Sequence, residues 1–298
     1  MSAAPLDFLL IGAQKCATSW LYLCLRDHPG ILVPHDKREL HYLGGDNLAG
    51  APVAPYVEFA KDRPEGVVAG AASVEYLADP RSPVVVREAL PEIKLIVNLR
   101  NPVERAVSGF YWYVRRGKVP EMGVDEGITL ALDEREAGRD SPSADIIYRG
   151  EYAGQIERYR SFVPAERFLV HLYDEICEDA GAALARTYRF LGVDPGFQPA
   201  SLGKRPKKNT YFRPLILLER VLPHHKITAK LADMANRALS RGGVGTDEPQ
   251  LSATLQCRLL DYYVSHIRVT QRVLNAMRPS ADAVDLERLW IEPLRRSR

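Results

Sequence analysis

Short apolar runs alternate with helical patterns along much of the chain, and each of the two strongest runs is followed by a predicted helix. Residues 6–11 and 94–99 are short, mostly apolar runs, which is typical of buried strands. Two more strands are predicted, at 168–173 and, from a weaker pattern, at 67–73. Strands that alternate with helices form parallel sheets. The sequence therefore predicts an α/β fold, a parallel sheet flanked by helices on both faces. The predicted helices span 18–27, 82–90, 102–116, 180–191 and 251–277.

The length and charge of the chain exclude several classes of protein. The 298 residues suffice for one large domain, and we predict a single domain over 1–298. A net charge of +2, from 40 basic and 38 acidic residues, lacks the basic footprint of a nucleic-acid-binding protein. No apolar run reaches the length of about 18 residues that a membrane span needs. The four cysteines form no CxxC pair, so we expect reduced thiols, no metal site and a cytoplasmic location.

The first strand leads into a loop with the composition of an anion site. Gly12 permits a tight turn, Lys15 supplies a positive charge, and Thr18 and Ser19 place hydroxyl groups at the start of a helix. The N–H groups at a helix start attract anions. The alternative is an ordinary strand–helix turn whose lysine faces water. The loop is not a Walker A loop, because that motif needs the lysine directly before the hydroxyl residue.

The strand at 94–99 leads into a second candidate anion site. Arg100 follows this strand, where parallel sheets bind ligands, and arginine suits bidentate contact with phosphate. Asn101 is the predicted N-cap and Pro102 the predicted first residue of the next helix, which carries Ser108 in its second turn. A capping arginine and a surface serine would show the same pattern, so the residues alone leave both interpretations open.

Together the two segments resemble the sulfotransferases that use 3′-phosphoadenosine-5′-phosphosulfate (PAPS). Residues 12–19 match the family's 5′-phosphosulfate loop, GxxKx(G/A)T(S/T), and residues 100–108 match its 3′-phosphate motif, RNPxxRAxS, in full. The resemblance continues through 149–159, 168–173 and 190–195.

This resemblance implies a P-loop-like fold and an enzyme that moves the sulfuryl group of PAPS to a hydroxyl or an amine. Lys15 would contact the bridging oxygen, and Arg100 with Ser108 would hold the 3′-phosphate. In-line transfer then depends on positioning and charge stabilisation. The implied cofactor-binding residues are Gly12, Lys15, Cys16, Ala17, Thr18, Ser19, Arg100, Ser108, Lys207, Lys208 and Asn209.

Two of the implied site segments have a second interpretation. Residues 37–43 resemble the K-E-x-H-F-F segment of the heparan-sulfate-type and bacterial branch, which makes Glu39 the general base and His41 its neighbour, with Lys15 as the third catalytic residue. The alternative is a solvated charged turn. The basic loop at 204–209 matches the place of the family's cofactor-closing loop, and its alternative is a soluble linker.

The chain departs from the family pattern in two places. Ala71 and Ala72 stand at the family's glutamate and lysine positions, and Glu75 could compensate only if the strand geometry differs. Residues 213–248 have no family counterpart; we interpret them as a helical lid over the acceptor, or as peripheral packing or a homodimer contact.

The sequence leaves the acceptor open between a small molecule and a glycan. A bacterial natural-product or glycan-modifying role is the favoured hypothesis. Two rival functions remain: a non-catalytic protein that binds PAPS or its product 3′,5′-ADP (PAP), and a P-loop kinase that would need ATP and Mg²⁺.

Overall fold

The structure, a computed structural model, describes residues 6–34, 58–204, 251–278 and 282–296. The chain divides into two compact units. The first contains residues 1–105, 148–206 and 257–298, and the second contains 106–147 and 207–256. The single-domain organisation therefore stays a prediction, and the predicted insertion at 213–248 lies outside the described residues.

A five-stranded parallel sheet forms the centre of the first unit, with the strand order β2-β3-β1-β4-β5. Because every strand runs in the same direction, their carboxyl ends gather at one edge of the sheet, where such folds bind ligands. The strand predictions are confirmed to within two residues at each end. The strands are Phe8–Gly12 (β1), Ile31–Leu32 (β2), Val68–Ala72 (β3), Lys94–Leu99 (β4) and Phe168–Leu172 (β5).

Helices flank this sheet, as predicted for an α/β fold. In the first unit they are Thr18–Asp27 (α1), Glu75–Ala78 (α2), Ser82–Ala89 (α3), Tyr152–Arg160 (α7), Tyr173–Glu178 (α8), Ala180–Leu191 (α9) and Glu292–Arg296 (α11), with a π-helical turn at Glu287–Ile291. Val124–Glu136 (α5) belongs to the second unit. Three helices have residues in both units: Pro102–Arg115 (α4), Pro142–Tyr148 (α6) and Ala253–Asn275 (α10).

The core of the first unit explains why β1 is apolar along its whole length. Phe8 and Leu10 pack in one cluster with side chains of α1 and α9, among them Leu25 and Tyr188. The intervening residue Leu9 is fully buried as well. A strand that is covered on both faces must be apolar at consecutive positions rather than at alternate ones.

Local sequence signals predicted two helix ends correctly. The amide of Val103 donates to the side-chain oxygen of Asn101 at 3.0 Å, which confirms Asn101 as the N-cap of α4. Gly192 ends α9 with φ of 82°, in the left-handed region that favours glycine. No helix among the described residues is long and apolar enough to cross a membrane.

Two glycines of the first unit should respond to alanine in opposite ways. A Cβ at Gly70 would lie 2.3 Å from the ring of Phe8, its buried neighbour on β1. Gly70→Ala is therefore expected to destabilise the protein by about 1–3 kcal/mol through overpacking. Gly154→Ala, in α7 where a Cβ meets nothing within 4 Å, should stabilise it by about 0.5–1 kcal/mol. Urea unfolding measures both, and equal effects at the two positions would contradict the packing described for β1 and β3.

Candidate functional site

The loop between β1 and α1 has a backbone that only certain residues tolerate. Gly12 has φ of 152°, and a Cβ there would lie 2.9 Å from Cβ of Leu77. Lys15 and Ala17 have φ of 69° and 61°, in the left-handed region. Turns of this kind point successive backbone N–H groups into one concavity and so favour an anion. Ala17 is also the N-cap of α1, and its side chain has no oxygen to compete for the first N–H groups of that helix.

Arg100 lies at the carboxyl end of β4, beside that loop. Its Nε and Nη2 donate to Oε2 of Glu104 at 3.0 and 2.7 Å, and its guanidinium carbon lies 4.6 Å from the centre of the Tyr173 ring. Burial alone would lower the pKa of Arg100, but the charge and hydrogen bonds of Glu104 raise it overall. The guanidinium is therefore charged at any relevant pH.

The thiol of Cys16 shows that the two predicted anion sites come together. Burial raises the pKa of Cys16 to about 11, although the charges of Arg105, Arg100 and Lys15 act in the opposite direction. The hydroxyl of Tyr152 lies 4.0 Å from the Cys16 sulfur and donates to the carbonyl of Arg100 at 2.8 Å. The loop lysine and the strand-end arginine thus act on the same group. That they form one nucleotide site stays a prediction.

Arg105 is a third cation at this place, and the sequence analysis did not single it out. It lies in the first turn of α4 with no exposed surface and hydrogen-bonds to the hydroxyl of Tyr263 on α10. Gly150 explains how Tyr263 approaches so closely, because a Cβ there would lie 2.7 Å from the tyrosine hydroxyl. The signal was present in the sequence, since Arg105 is the second arginine of the matched motif at 100–108.

The residues at the end of β3 are uncharged, and the charged groups nearby belong to an ion pair beyond the strand. Ala71 and Ala72 are both buried, at 1% and 7% exposure. Glu75 lies beyond the strand, in the first turn of α2, and its carboxylate accepts a hydrogen bond from Arg149 at 2.5 Å. The charge here is supplied by a helix and a loop rather than by β3. That this pair replaces the family's strand residues stays a prediction.

The remaining predicted residues divide into two groups. Ser108 lies on α4 in the second unit, so its joint contact with Arg100 at one phosphate stays a prediction. The predicted base and its neighbour, and the closing loop, lie outside the described residues: Glu39, His41, Lys207, Lys208 and Asn209. Among the described residues, no group of three or more histidine, cysteine or acidic side chains could hold a metal ion.

Comparison with known proteins defines the class of the chain. The family model described as "Sulfotransferase domain" matches residues 5–214. A solved structure, that of a sulfotransferase from Alicyclobacillus acidocaldarius, aligns with a TM-score of 0.64 over 93% of this chain and 98% of that chain, at 22% identity. The likeness to that structure shows the fold, and the family match shows that the chain belongs to the sulfotransferase domain family.

The chain is also similar in sequence to particular curated proteins. The chain is 26% identical over 185 residues to heparan sulfate glucosamine 3-O-sulfotransferase 3B1 of Homo sapiens, covering 62% of this chain and 45% of the relative. It is 26% identical over 199 residues to bifunctional heparan sulfate N-deacetylase/N-sulfotransferase 4 of Mus musculus, covering 64% of this chain and 22% of the relative. The chain thus spans less than half the length of these two proteins.

The burial of the four cysteines predicts their order of alkylation. Cys16 and Cys24 are buried, and burial raises their pKa to about 11 and about 12, so both remain protonated at pH 8. Iodoacetamide reacts with the thiolate, so Cys177, which is exposed, should be modified well before either. Mass spectrometry of peptides after timed labelling measures the order, with urea-unfolded protein as the control in which all four react. Rapid labelling of Cys16 in the folded protein would contradict the closed environment described for the loop.

Proposed function

We propose that this chain transfers the sulfuryl group of PAPS to a hydroxyl, or to an amine, of a small-molecule or glycan acceptor. The observation that carries the proposal is the convergence of Lys15 and Arg100 on Cys16, at the carboxyl ends of adjacent parallel strands. Each cation belongs to one of the two motifs that bind PAPS in this family. The proposed location is the cytoplasm.

The residues present fit a nucleotide with two phosphate-bearing ends. Three cations, Lys15, Arg100 and Arg105, act on Cys16 in this loop. This local positive charge is large for a chain whose net charge is only +2. The side-chain amide of Gln14 is 4% exposed, and neither its nitrogen nor its oxygen has a hydrogen-bond partner among the described residues. A buried polar group without a partner is costly, which favours a site that is completed by a polar ligand.

Each residue has a defined task under this proposal. Lys15 neutralises charge that develops on the bridging oxygen, and Thr18 and Ser19 bind the 5′-phosphate with the N-terminus of α1. Arg100 and Ser108 bind the 3′-phosphate, which distinguishes PAPS from ATP. PAPS supplies an activated sulfuryl group and a stable leaving group. The protein therefore contributes mainly orientation and electrostatic stabilisation.

Proton removal from the acceptor is assigned to Glu39, with His41 beside it. Lys207, Lys208 and Asn209 are assigned to closing the site over the nucleotide. The names of the relatives support a glycan acceptor, since both include heparan sulfate. For a small-molecule acceptor, we propose an alcohol group of a bacterial natural product.

A transfer assay with a matched pair of variants tests the proposal. Labelled PAPS is incubated with panels of glycans and small alcohols or amines, without added metal, and transfer of label is measured. Glu39→Gln should lower kcat by about 10²–10⁴-fold, because a carboxylate base is lost, while the affinity for PAP is unchanged. Glu88→Gln, an exposed carboxylate on α3, is the control and should retain full activity.

Three outcomes would contradict parts of this account. Tight binding of PAP without transfer to any acceptor would indicate a non-catalytic nucleotide-binding protein. Phosphoryl transfer from ATP with Mg²⁺, and none from PAPS, would indicate a kinase. Full activity of Glu39→Gln would leave the transferase proposal in place and remove Glu39 as the base.

A further inference from the structure

The guanidinium of Arg100 is contacted along its side edge by Glu104 and on one face by the ring of Tyr173. Its outer edge, formed by Nη1 and Nη2, is available for a ligand. Glu104 accepts hydrogen bonds from Nε and Nη2, so the side edge of the guanidinium is occupied. The described residues provide no further hydrogen bond to the guanidinium of Arg100, and this side chain is 22% exposed. Bidentate recognition of a phosphate needs two parallel N–H groups. The Nη1 and Nη2 groups of the outer edge provide such a pair.

The register of the sheet places Tyr173 against the face of Arg100. Strands β4 and β5 are parallel, and Leu99 is paired with Leu172 in the last position of the ladder. Arg100 directly follows the last residue of β4, and Tyr173, the first residue of α8, directly follows the last residue of β5. Residues in register on neighbouring parallel strands project to the same side of the sheet, and the ring lies 4.6 Å from the guanidinium carbon.

Both residues of this stack are fixed by their neighbours in sequence. The side-chain amide of Asn101 donates to the backbone carbonyl of Trp290 at 3.1 Å, and the indole N–H of Trp290 donates to the carboxylate of Asp174 at 3.0 Å. Trp290 itself is fully buried. The residue after Arg100 and the residue after Tyr173 are thus joined through Trp290, by its backbone carbonyl and its indole N–H, which restricts relative movement of the two strand ends.

The ring of Tyr173, rather than its hydroxyl, acts on Arg100. The hydroxyl interacts with Cys177, one turn further along α8. Burial raises the pKa of Tyr173, so the side chain remains a neutral phenol. A neutral aromatic face attracts a guanidinium through its quadrupole and covers one side of it from water.

We propose that Tyr173 is a positioning residue for recognition of the 3′-phosphate, because its ring holds the Arg100 guanidinium so that the outer edge faces the nucleotide. Glu104 fixes the same guanidinium from the side. An arginine that is already ordered loses less conformational entropy when it binds phosphate, so affinity rises without a new contact to the ligand. This inference rests on the proposed function, since it assumes that Arg100 binds the 3′-phosphate.

The test compares PAP with 5′-AMP, which lacks the 3′-phosphate, by calorimetry on the full chain. Tyr173→Leu should weaken PAP binding roughly three- to thirtyfold and leave AMP binding unchanged, because a cation–π contact is lost. Tyr173→Phe keeps the ring and should keep the wild-type ratio of the two affinities. Phe190→Leu is the matched control: it removes the ring 5.5 Å from Lys94 Nζ at the opposite end of β4 and should also keep the ratio.

Loss of folding is distinguished from loss of positioning by thermal unfolding of each variant. If Tyr173→Leu does not fold, Tyr173→Met, which fills the space with an unbranched chain, takes its place in the comparison. An unchanged PAP-to-AMP ratio in the folded variant overturns the inference, as does a loss in Tyr173→Phe equal to that in Tyr173→Leu. If the wild-type protein itself shows no preference for PAP, the proposed function fails and this inference fails with it. A wild-type preference that survives in Tyr173→Leu removes the inference alone.

Discussion

The parallel register of β4 between β1 and β5 is the constraint on which the candidate site depends. It brings three strand ends to one edge, so that the Lys15 loop, Arg100 and Tyr173 become neighbours although they are far apart in sequence. None of these residues would form an anion site alone. A loop lysine without the arginine is an ordinary turn, and an arginine without a stacked ring is a flexible side chain.

The positive charge gathered at this edge has consequences for the rest of the unit. Lys15, Arg100 and Arg105 all act on the one buried thiol of Cys16, and like charges held close together raise the free energy of the empty site. Glu104 offsets part of this cost at Arg100, and the hydroxyl of Tyr263 hydrogen-bonds to Arg105. A polyanionic nucleotide would offset the remainder, so we expect binding to stabilise the folded protein.

Sequence patterns predicted the parts of the fold that are set locally. The strand β4, the cap at Asn101 and the end of α9 at Gly192 follow from runs and caps of a few residues. The helix α5 was missed, because its apolar stretch at 128–132 is short enough to fit a strand or a helix. The pair of Glu75 and Arg149 was missed for a different reason: its members are 74 positions apart, and only the fold brings them together. The roles of Glu39 and the closing loop rest on resemblance and stay predictions.

The central claim is that Arg100 makes this a site for a nucleotide with a 3′-phosphate, and calorimetry with PAP and 5′-AMP on Arg100→Ala tests it most directly. Charge-assisted hydrogen bonds contribute about 1.5–3 kcal/mol each, so the wild-type protein should bind PAP at least about tenfold more tightly than AMP. Arg100→Ala should erase that preference. Arg167→Ala, which removes an arginine paired with Glu92 away from the strand ends that form the site, should preserve it. Equal affinities for the two nucleotides in the wild-type protein, or a preference that persists in Arg100→Ala, would contradict the account.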